Sequence, residues 1–189
     1  MVSITILIIF MAMYTATSLA IMTATNETAN MANANSDRNT AMDTLSVSFG
    51  NASEVNDPGT DSQGNQYVEA YVPKYASTLH DADGNSVDEC VQAKYSITDN
   101  AIMTRTWSPD LIASSSSLPS WKRITSKTVA NTDDIFDVST FNNRRHITFQ
   151  WTEGKNSAQS YGERRITALN SHHGAPSTPV CLVGSGSRS

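Results

Sequence analysis

The chain has 189 residues, a formal net charge of −5 and two cysteines. Charged side chains make up only 16% of it, whereas Ser, Thr and Asn are abundant. That composition is more typical of an extracytoplasmic, β-rich protein than of a cytosolic enzyme. The sequence has no phosphate-binding loop, no dinucleotide fingerprint, no nucleophile elbow and no zinc-protease pattern. We therefore expect neither enzymatic activity nor a cofactor.

The first 49 residues contain no Gly and no Pro, and no charge precedes Glu27. The mainly apolar run over residues 2–24 is long enough to cross a hydrocarbon core of about 30 Å as one helix. Ala12, Ala16 and Ala20 recur every four positions, which predicts a smooth stripe on which a second helix can pack closely. The alternative is an ordinary anchor in which the alanines have no special role.

Beyond the membrane segment, no helix-breaking residue occurs before Gly50. One helical face of this stretch carries mainly apolar side chains and is interrupted by Arg38. The apolar members are Met31, Ala34, Met42, Leu45 and Phe49. The pattern predicts that the helix continues without a break to about Leu45. Residues 1–49 would then be a transmembrane or assembly helix with an amphipathic stalk, and residues 50–189 one head domain.

The head shows the period-two alternation that is typical of β-strands. We expect a turn-rich loop at 50–65 and a disordered tail at 184–189. The predicted strand segments are 66–78, 91–97, 102–107, 121–130, 135–141, 146–151, 165–169 and 178–183. The predicted fold class is therefore α+β, with one long N-terminal helix and a mainly antiparallel β head.

The two cysteines are Cys90 and Cys181. A membrane-anchored head in an oxidising compartment would pair them, whereas two single cysteines of a cytosolic protein would more often be buried and inert. The membrane segment favours the disulfide, and we expect the two Cα atoms to lie within about 7 Å.

Two sequence features suggest a metal site but do not fit one. Asp81, Asp83 and Asn85 resemble the start of a calcium loop, but Ser86 stands where the sharp-turn glycine belongs and Gln92 where the bidentate glutamate belongs. This segment is therefore predicted to be a hairpin turn. The histidine pair at 172–173 lacks further ligands at a suitable spacing. We expect no metal site.

Three segments place basic residues directly before an Ile-Thr pair. If these segments are neighbouring strand starts, their cations would form a basic ridge able to bind nucleic acid, an anionic surface polymer or the acidic part of a neighbouring subunit. The alternative is that strand ends simply carry solvated charges. The residues of this predicted ridge are Lys122, Arg123, Arg145, Arg164 and Arg165.

The N-terminal region resembles that of type IV pilin-like subunits, most of all the TadE/TadG-type minor pilins of tight-adherence (Flp) pili. The resemblance lies in the apolar residues 4–24 and in Ala32-Asn33-Ala34-Asn35-Ser36-Asp37-Arg38-Asn39-Thr40-Ala41-Met42-Asp43. It covers about the first 50 residues, and archaeal pilin-type subunits share the same plan. It implies a structural, membrane-anchored subunit of a cell-surface filament or its assembly machinery. Its head would be periplasmic or extracellular, and its partners would be membrane lipid and other copies or pilin-like subunits.

Two other functions are compatible with the sequence. The helix could tether a single binding module to the membrane. Alternatively, the first 20 residues could be a cleaved signal peptide of a secreted protein, since Ser18-x-Ala20 resembles a cleavage site, although a basic n-region is missing.

Overall fold

The computed structural model of the chain describes residues 2–109, 118–126, 129–130, 134–155, 158–171 and 181. One long helix precedes a head built from β-strands. The helix is α1 (Val2–Gly50), and the strands are β1 (Glu54–Val55), β2 (Gly59–Thr60), β3 (Gln66–Val72), β4 (Glu89–Ser96), β5 (Ala101–Trp107), β6 (Lys122–Arg123), β7 (Val129–Ala130), β8 (Phe136–Phe141), β9 (Arg144–Lys155) and β10 (Ala158–Thr167).

The helix α1 is continuous because nothing in it interrupts the backbone hydrogen-bond ladder. It contains no Pro, and its only Gly is the last residue, Gly50. Gly is common at the C-terminal ends of helices, because without a Cβ it tolerates the change of backbone direction that ends the helix. The predicted uninterrupted helix is confirmed, and it extends five residues beyond the expected end at Leu45.

Within the described residues the strands form two antiparallel sheets. In sheet 1 the order is β1-β3-β4-β5-β6, and β2 also pairs with β3. In sheet 2 the order is β10-β9-β7, and β8 also pairs with β9. The predicted α+β class with a mainly antiparallel head is therefore confirmed.

The core lies between the C-terminal part of α1 and the inner faces of the two sheets. The helix contributes Leu45 and Phe49, both fully buried. The rings of Phe49 and Phe149, the latter from β9, pack edge to face with their centroids 5.4 Å apart. Because side chains alternate across a strand, Ile147, Phe149 and Trp151 all reach this core from one face of β9. The helix and the head thus share one core.

Several details of the sequence prediction need correction. The last hairpin is longer than expected: β10 begins at Ala158, not near Arg165. The loop at 50–65 contains the short strands β1 and β2, and β3 ends at Val72, directly before Pro73. Met31 is 43% exposed, so it does not belong to the buried helix face. The predicted strand at 178–183 lies outside the described residues except for Cys181, as do the tail at 184–189 and the histidine pair at 172–173.

Candidate functional site

The N-terminal part of α1 stands free of the head. Between residues 4 and 33 every side chain is exposed except that of Ser18, which is half-buried. At 1.5 Å per residue this segment is about 45 Å long, close to the thickness of a bilayer with its headgroup layers. By length and composition α1 is able to cross a membrane. The same description fits a signal sequence.

The exposed apolar segment accommodates most of its threonines without unpaired hydroxyl groups. Thr15 and Thr17 donate to the carbonyl oxygens of Met11 and Met13, at 2.9 and 2.8 Å. Thr23 donates in the same way to Leu19 at 3.0 Å. Such bonds back to the preceding turn make a hydroxyl inexpensive in an apolar environment. The backbone ladder and these side chains together suit a membrane or a dry helix contact.

The exposed segment has two unlike faces. A bulky face forms a shallow apolar groove lined by Ile6, Leu7, Phe10, Met11 and Tyr14. The small face carries Ala12, Ala16 and Ala20 at one-turn intervals. At about 100° per residue, Tyr14 lies roughly 160° around the helix from Ala16. The two faces therefore point in nearly opposite directions.

A buried arginine joins α1 to the head. Arg38 is only 8% exposed. Its guanidinium donates to the hydroxyl of Ser160 and to the carbonyl oxygen of Tyr161, the latter at 2.6 Å, and it also reaches the side-chain oxygen of Asn35. A Cβ added at Gly162 would lie 2.6 Å from Cδ and 2.8 Å from Cζ of Arg38. Arg38, which interrupts the apolar helix face in the sequence, thus packs directly against the backbone of Gly162 in β10.

Two further polar contacts fix the same junction. Asp43 of the helix forms an ion pair with Arg164 of β10, which also donates to Ser46 at 3.2 Å. Asp37 accepts the backbone N–H of Ser126 at 2.6 Å. The polar side chains of Asp37 and Asp43, as well as the core residues of α1, therefore hold the helix to sheet 2 and to the segment after β6.

The five residues of the predicted basic ridge are not brought together into one ridge. Lys122 and Arg123 lie on β6, in sheet 1, whereas the other three lie in sheet 2. Arg145 is only 4% exposed and pairs with Asp57. Arg164 points to α1, and Arg165 lies on the opposite face of β10, because successive side chains of a strand alternate. Local charge runs in the sequence do not report which face or which sheet each residue occupies.

The outer face of sheet 1 carries a buried polar row that the sequence did not predict. Glu69, Gln92 and Arg105 lie directly opposite one another on three adjacent strands. The amide of Gln92 donates to the Glu69 carboxylate at 2.8 Å and its oxygen accepts from Arg105 at 2.6 Å. All three residues are more than nine-tenths buried. The period-two alternation identified these strands but did not show that both faces of β4 would be covered.

Two tryptophans cover the cationic end of this row. The guanidinium of Arg105 lies 4.1 Å from the ring centroid of Trp121 and 5.6 Å from that of Trp107. Lys94 lies over the same Trp121 ring at 4.5 Å. Burial lowers the pKa of Arg105 to about 10, although the nearby Glu69 carboxylate acts in the opposite direction. The row and its covering rings form a structural layer, since they leave little of these polar groups in contact with solvent.

The disulfide prediction is confirmed. Cys90 of β4 is bonded to Cys181, with Cα atoms 5.8 Å apart. Cys90 is fully buried and packs with Trp107, Tyr71 and Leu118 on the outer face of sheet 1. The bond therefore attaches the segment around Cys181 to a central strand of this sheet.

The predicted turn at Asp81 is also present, and the structure reveals a second copy of it. In each copy an aspartate, Asp61 or Asp81, accepts two backbone N–H groups within its own loop. Gly64 and Gly84 each adopt a φ of 83°, which favours glycine. Among the residues that the structure describes, no group of three or more His, Cys, Asp or Glu side chains is placed to hold a metal ion.

Comparison of the chain with protein-family models, with curated proteins and with solved structures finds no match. The assignment of a function to this protein therefore depends on its own residues and geometry.

Proposed function

We propose that this protein is a membrane-anchored, non-enzymatic subunit of a cell-surface filament or of its assembly machinery, of the type IV pilin-like kind. The observation that carries the proposal is the continuity of α1. One helix supplies both an exposed segment at residues 4–33, apolar as far as Ala24, and core residues of the head, such as Leu45 and Phe49.

The continuity of α1 matters because a rigid helix fixes the position of the head relative to the exposed segment. A module that is only tethered to a membrane needs no fixed orientation, and a flexible polar linker would serve it. In this chain the helix enters the head without a linker and is locked there by Arg38. Packing the exposed segments of two copies would therefore also set the positions of their heads.

The exposed segment suits two environments in turn. A helix without any charge before Glu27 is stable in a lipid bilayer, and the same surface is stable in the dry centre of a helical filament. The bulky and small faces are different surfaces on nearly opposite sides. Contact between the bulky face of one copy and the small face of the next is heterologous, and heterologous contacts that do not close a ring produce open filaments.

The test is to add bulk to the small face by Ala16→Leu. Leu is at least as compatible with the membrane as Ala, so insertion and export should be normal. Overpacking a tight contact costs about 1–3 kcal/mol, and in a filament this cost recurs at every subunit. We expect surface filaments to disappear while the amount of protein in the membrane fraction is unchanged.

A matched control is Ala29→Leu, the same substitution at an exposed position of the helix about 140° away from Ala16. It should leave filaments intact. Normal filaments with Ala16→Leu, or no filaments with the unsubstituted protein, would refute the proposal and favour a tethered binding module. A mature protein that begins at Ile21, measured by mass spectrometry, would instead show that the segment is a signal peptide.

A further inference from the structure

Tyr14 occupies an unusual place in the exposed segment. It lies ten residues from both Ile4 and Ala24, which is about 15 Å along the helix in each direction. Its side chain is 70% exposed. Its hydroxyl makes no hydrogen bond with any residue in the part of the chain that the structure describes. If residues 4–24 span the membrane, this phenol lies at the middle of the hydrocarbon layer.

The phenol differs from the aliphatic hydroxyls of the same segment. Thr15 and Thr17 donate to carbonyl oxygens one turn earlier. A hydroxyl on Cβ can always turn to that carbonyl, whereas the hydroxyl of a tyrosine is too far from its own backbone. The distance to either membrane surface is also greater than a tyrosine side chain can extend. Inside lipid, therefore, Tyr14 can neither bond to its own helix nor reach water, and an unpaired hydroxyl is unfavourable there.

We propose that the hydroxyl of Tyr14 donates a hydrogen bond to the helix of a second copy of this chain. Lipid tails contain no acceptor, so the acceptor has to come from protein. The small face supplies one, because Ala12, Ala16 and Ala20 allow close approach to the backbone. Each helix carbonyl also has a second lone pair beyond the one used in the ladder. The carbonyl oxygen of Ala12 already accepts a second hydrogen bond, from the hydroxyl of Thr15 at 3.0 Å, so the carbonyl oxygens of Ala16 and Ala20 are the acceptors.

This inference depends on the proposed function and makes it more specific. It identifies the partner as a second copy, and it makes Tyr14 the residue that selects a protein neighbour over lipid. Tyr14 belongs to the bulky face and its acceptor to the small face, so each copy donates on one side and accepts on the other. A contact of this kind repeats in one direction along a filament.

The experiment uses the full chain, reconstituted in phosphatidylcholine vesicles, with separate populations labelled by a donor and an acceptor fluorophore on the head. Energy transfer is measured as the ratio of protein to lipid rises. The test variant is Tyr14→Phe, which removes only the hydroxyl. Interhelical hydrogen bonds are modest, so we expect self-association to weaken by about 3- to 10-fold. The matched control is Tyr75→Phe, which removes the same hydroxyl from a head residue that is 75% exposed and should change nothing.

The outcomes separate the two proposals. Equal self-association of Tyr14→Phe and the unsubstituted chain overturns the inference about Tyr14 and leaves the filament proposal standing. A lack of specific self-association by the unsubstituted chain overturns both. Filament counts on cells provide a second measurement: Tyr14→Phe should lower them with an unchanged amount of membrane protein, whereas an unchanged filament count contradicts the inference.

Discussion

The contact between Arg38 and Gly162 leads to a quantitative prediction about the joint between the helix and the head. Replacing Gly162 by Ala places a methyl group 2.6 Å from Cδ and 2.8 Å from Cζ of Arg38, too close for the arginine to stay. The arginine side chain is flexible and will move, but it then loses its bonds to Ser160 and to the carbonyl oxygen of Tyr161. Hydrogen bonds of a charged donor contribute about 1.5–3 kcal/mol each. We therefore expect Gly162→Ala to lower the free energy of unfolding by about 2–5 kcal/mol, the loss of two such bonds reduced by about 0.5–1 kcal/mol because Ala is favoured over Gly within a strand.

A double-mutant cycle separates this explanation from a general effect on the strand. Arg38→Ala alone removes the same hydrogen bonds and should cost a similar amount, about 2–5 kcal/mol. Once Arg38 is gone, the methyl group at position 162 has room, so Gly162→Ala should then cost close to nothing. The expected coupling energy is at least about 2 kcal/mol, well above the error of the method.

The assay is urea unfolding of the full chain in mild detergent, followed by the fluorescence of the tryptophans. Trp107 and Trp151 are 1% and 0% exposed, so unfolding changes their environment strongly. If Gly162→Ala costs as much in the Arg38→Ala background as it does alone, the clash with Arg38 is not the reason for the glycine.

Three other predictions follow from the head. Replacing Cys90 and Cys181 by Ala should cost about 4–5 kcal/mol in the chain-entropy description, because the bond joins residues 91 positions apart; melting temperatures with and without a thiol reductant check this. Gln92→Leu should cost about 2–4 kcal/mol by urea unfolding, since it removes the bridge between two buried charged groups; a cost below 0.5 kcal/mol, roughly the size of a surface substitution, would contradict it. Burial alone would raise the pKa of Asp61, but hydrogen bonds from Asn65 and Gln63 and the charge of Lys94 lower it below the usual 3.8. The stability that this carboxylate contributes is therefore present above pH 3.8 and is lost as the pH falls through the lowered pKa. We expect the free energy of unfolding of Asp61→Asn, measured against pH, to fall less steeply in acid than that of the unsubstituted chain.

The architecture was predictable where a strong local pattern agreed with the tertiary structure. The absence of Gly and Pro before residue 50 predicted the long helix, and clean alternation predicted the hairpin of β4 and β5. The start of β10 was missed because its first residues are polar and Gly162 weakens the strand pattern. That glycine is explained only by the arginine above it, which lies more than a hundred positions away in the sequence.

The candidate site was partly visible in the sequence. The small stripe of alanines could be read from its spacing alone. The bulky face and the isolated phenol of Tyr14 became informative only when the structure showed that the head covers none of them. The predicted basic ridge is not a single surface, because the sheet in which a strand lies and the face on which its side chains point depend on the tertiary structure. Met31 shows the limit of helical periodicity: the apolar face continues past the point where the head stops covering it.

The joint at Arg38 also distinguishes a filament subunit from a tethered module. Ala34 and Arg38 are the first residues of α1, counted from the N-terminus, that the head buries, whereas Leu45 and Phe49 hold the helix deeper in the core. Displacing Arg38 by Gly162→Ala should therefore loosen the outer end of the joint while the disulfide and the core keep the head folded. In a filament the heads must keep register with the packed helices, so we expect fewer or shorter filaments at a temperature where the head of the variant is still folded by circular dichroism. A tethered module would tolerate a looser joint, since its head acts alone. Full-length filaments from Gly162→Ala, together with the measured loss of stability, would show that the Arg38 contact stabilises the head but is not needed for filament assembly.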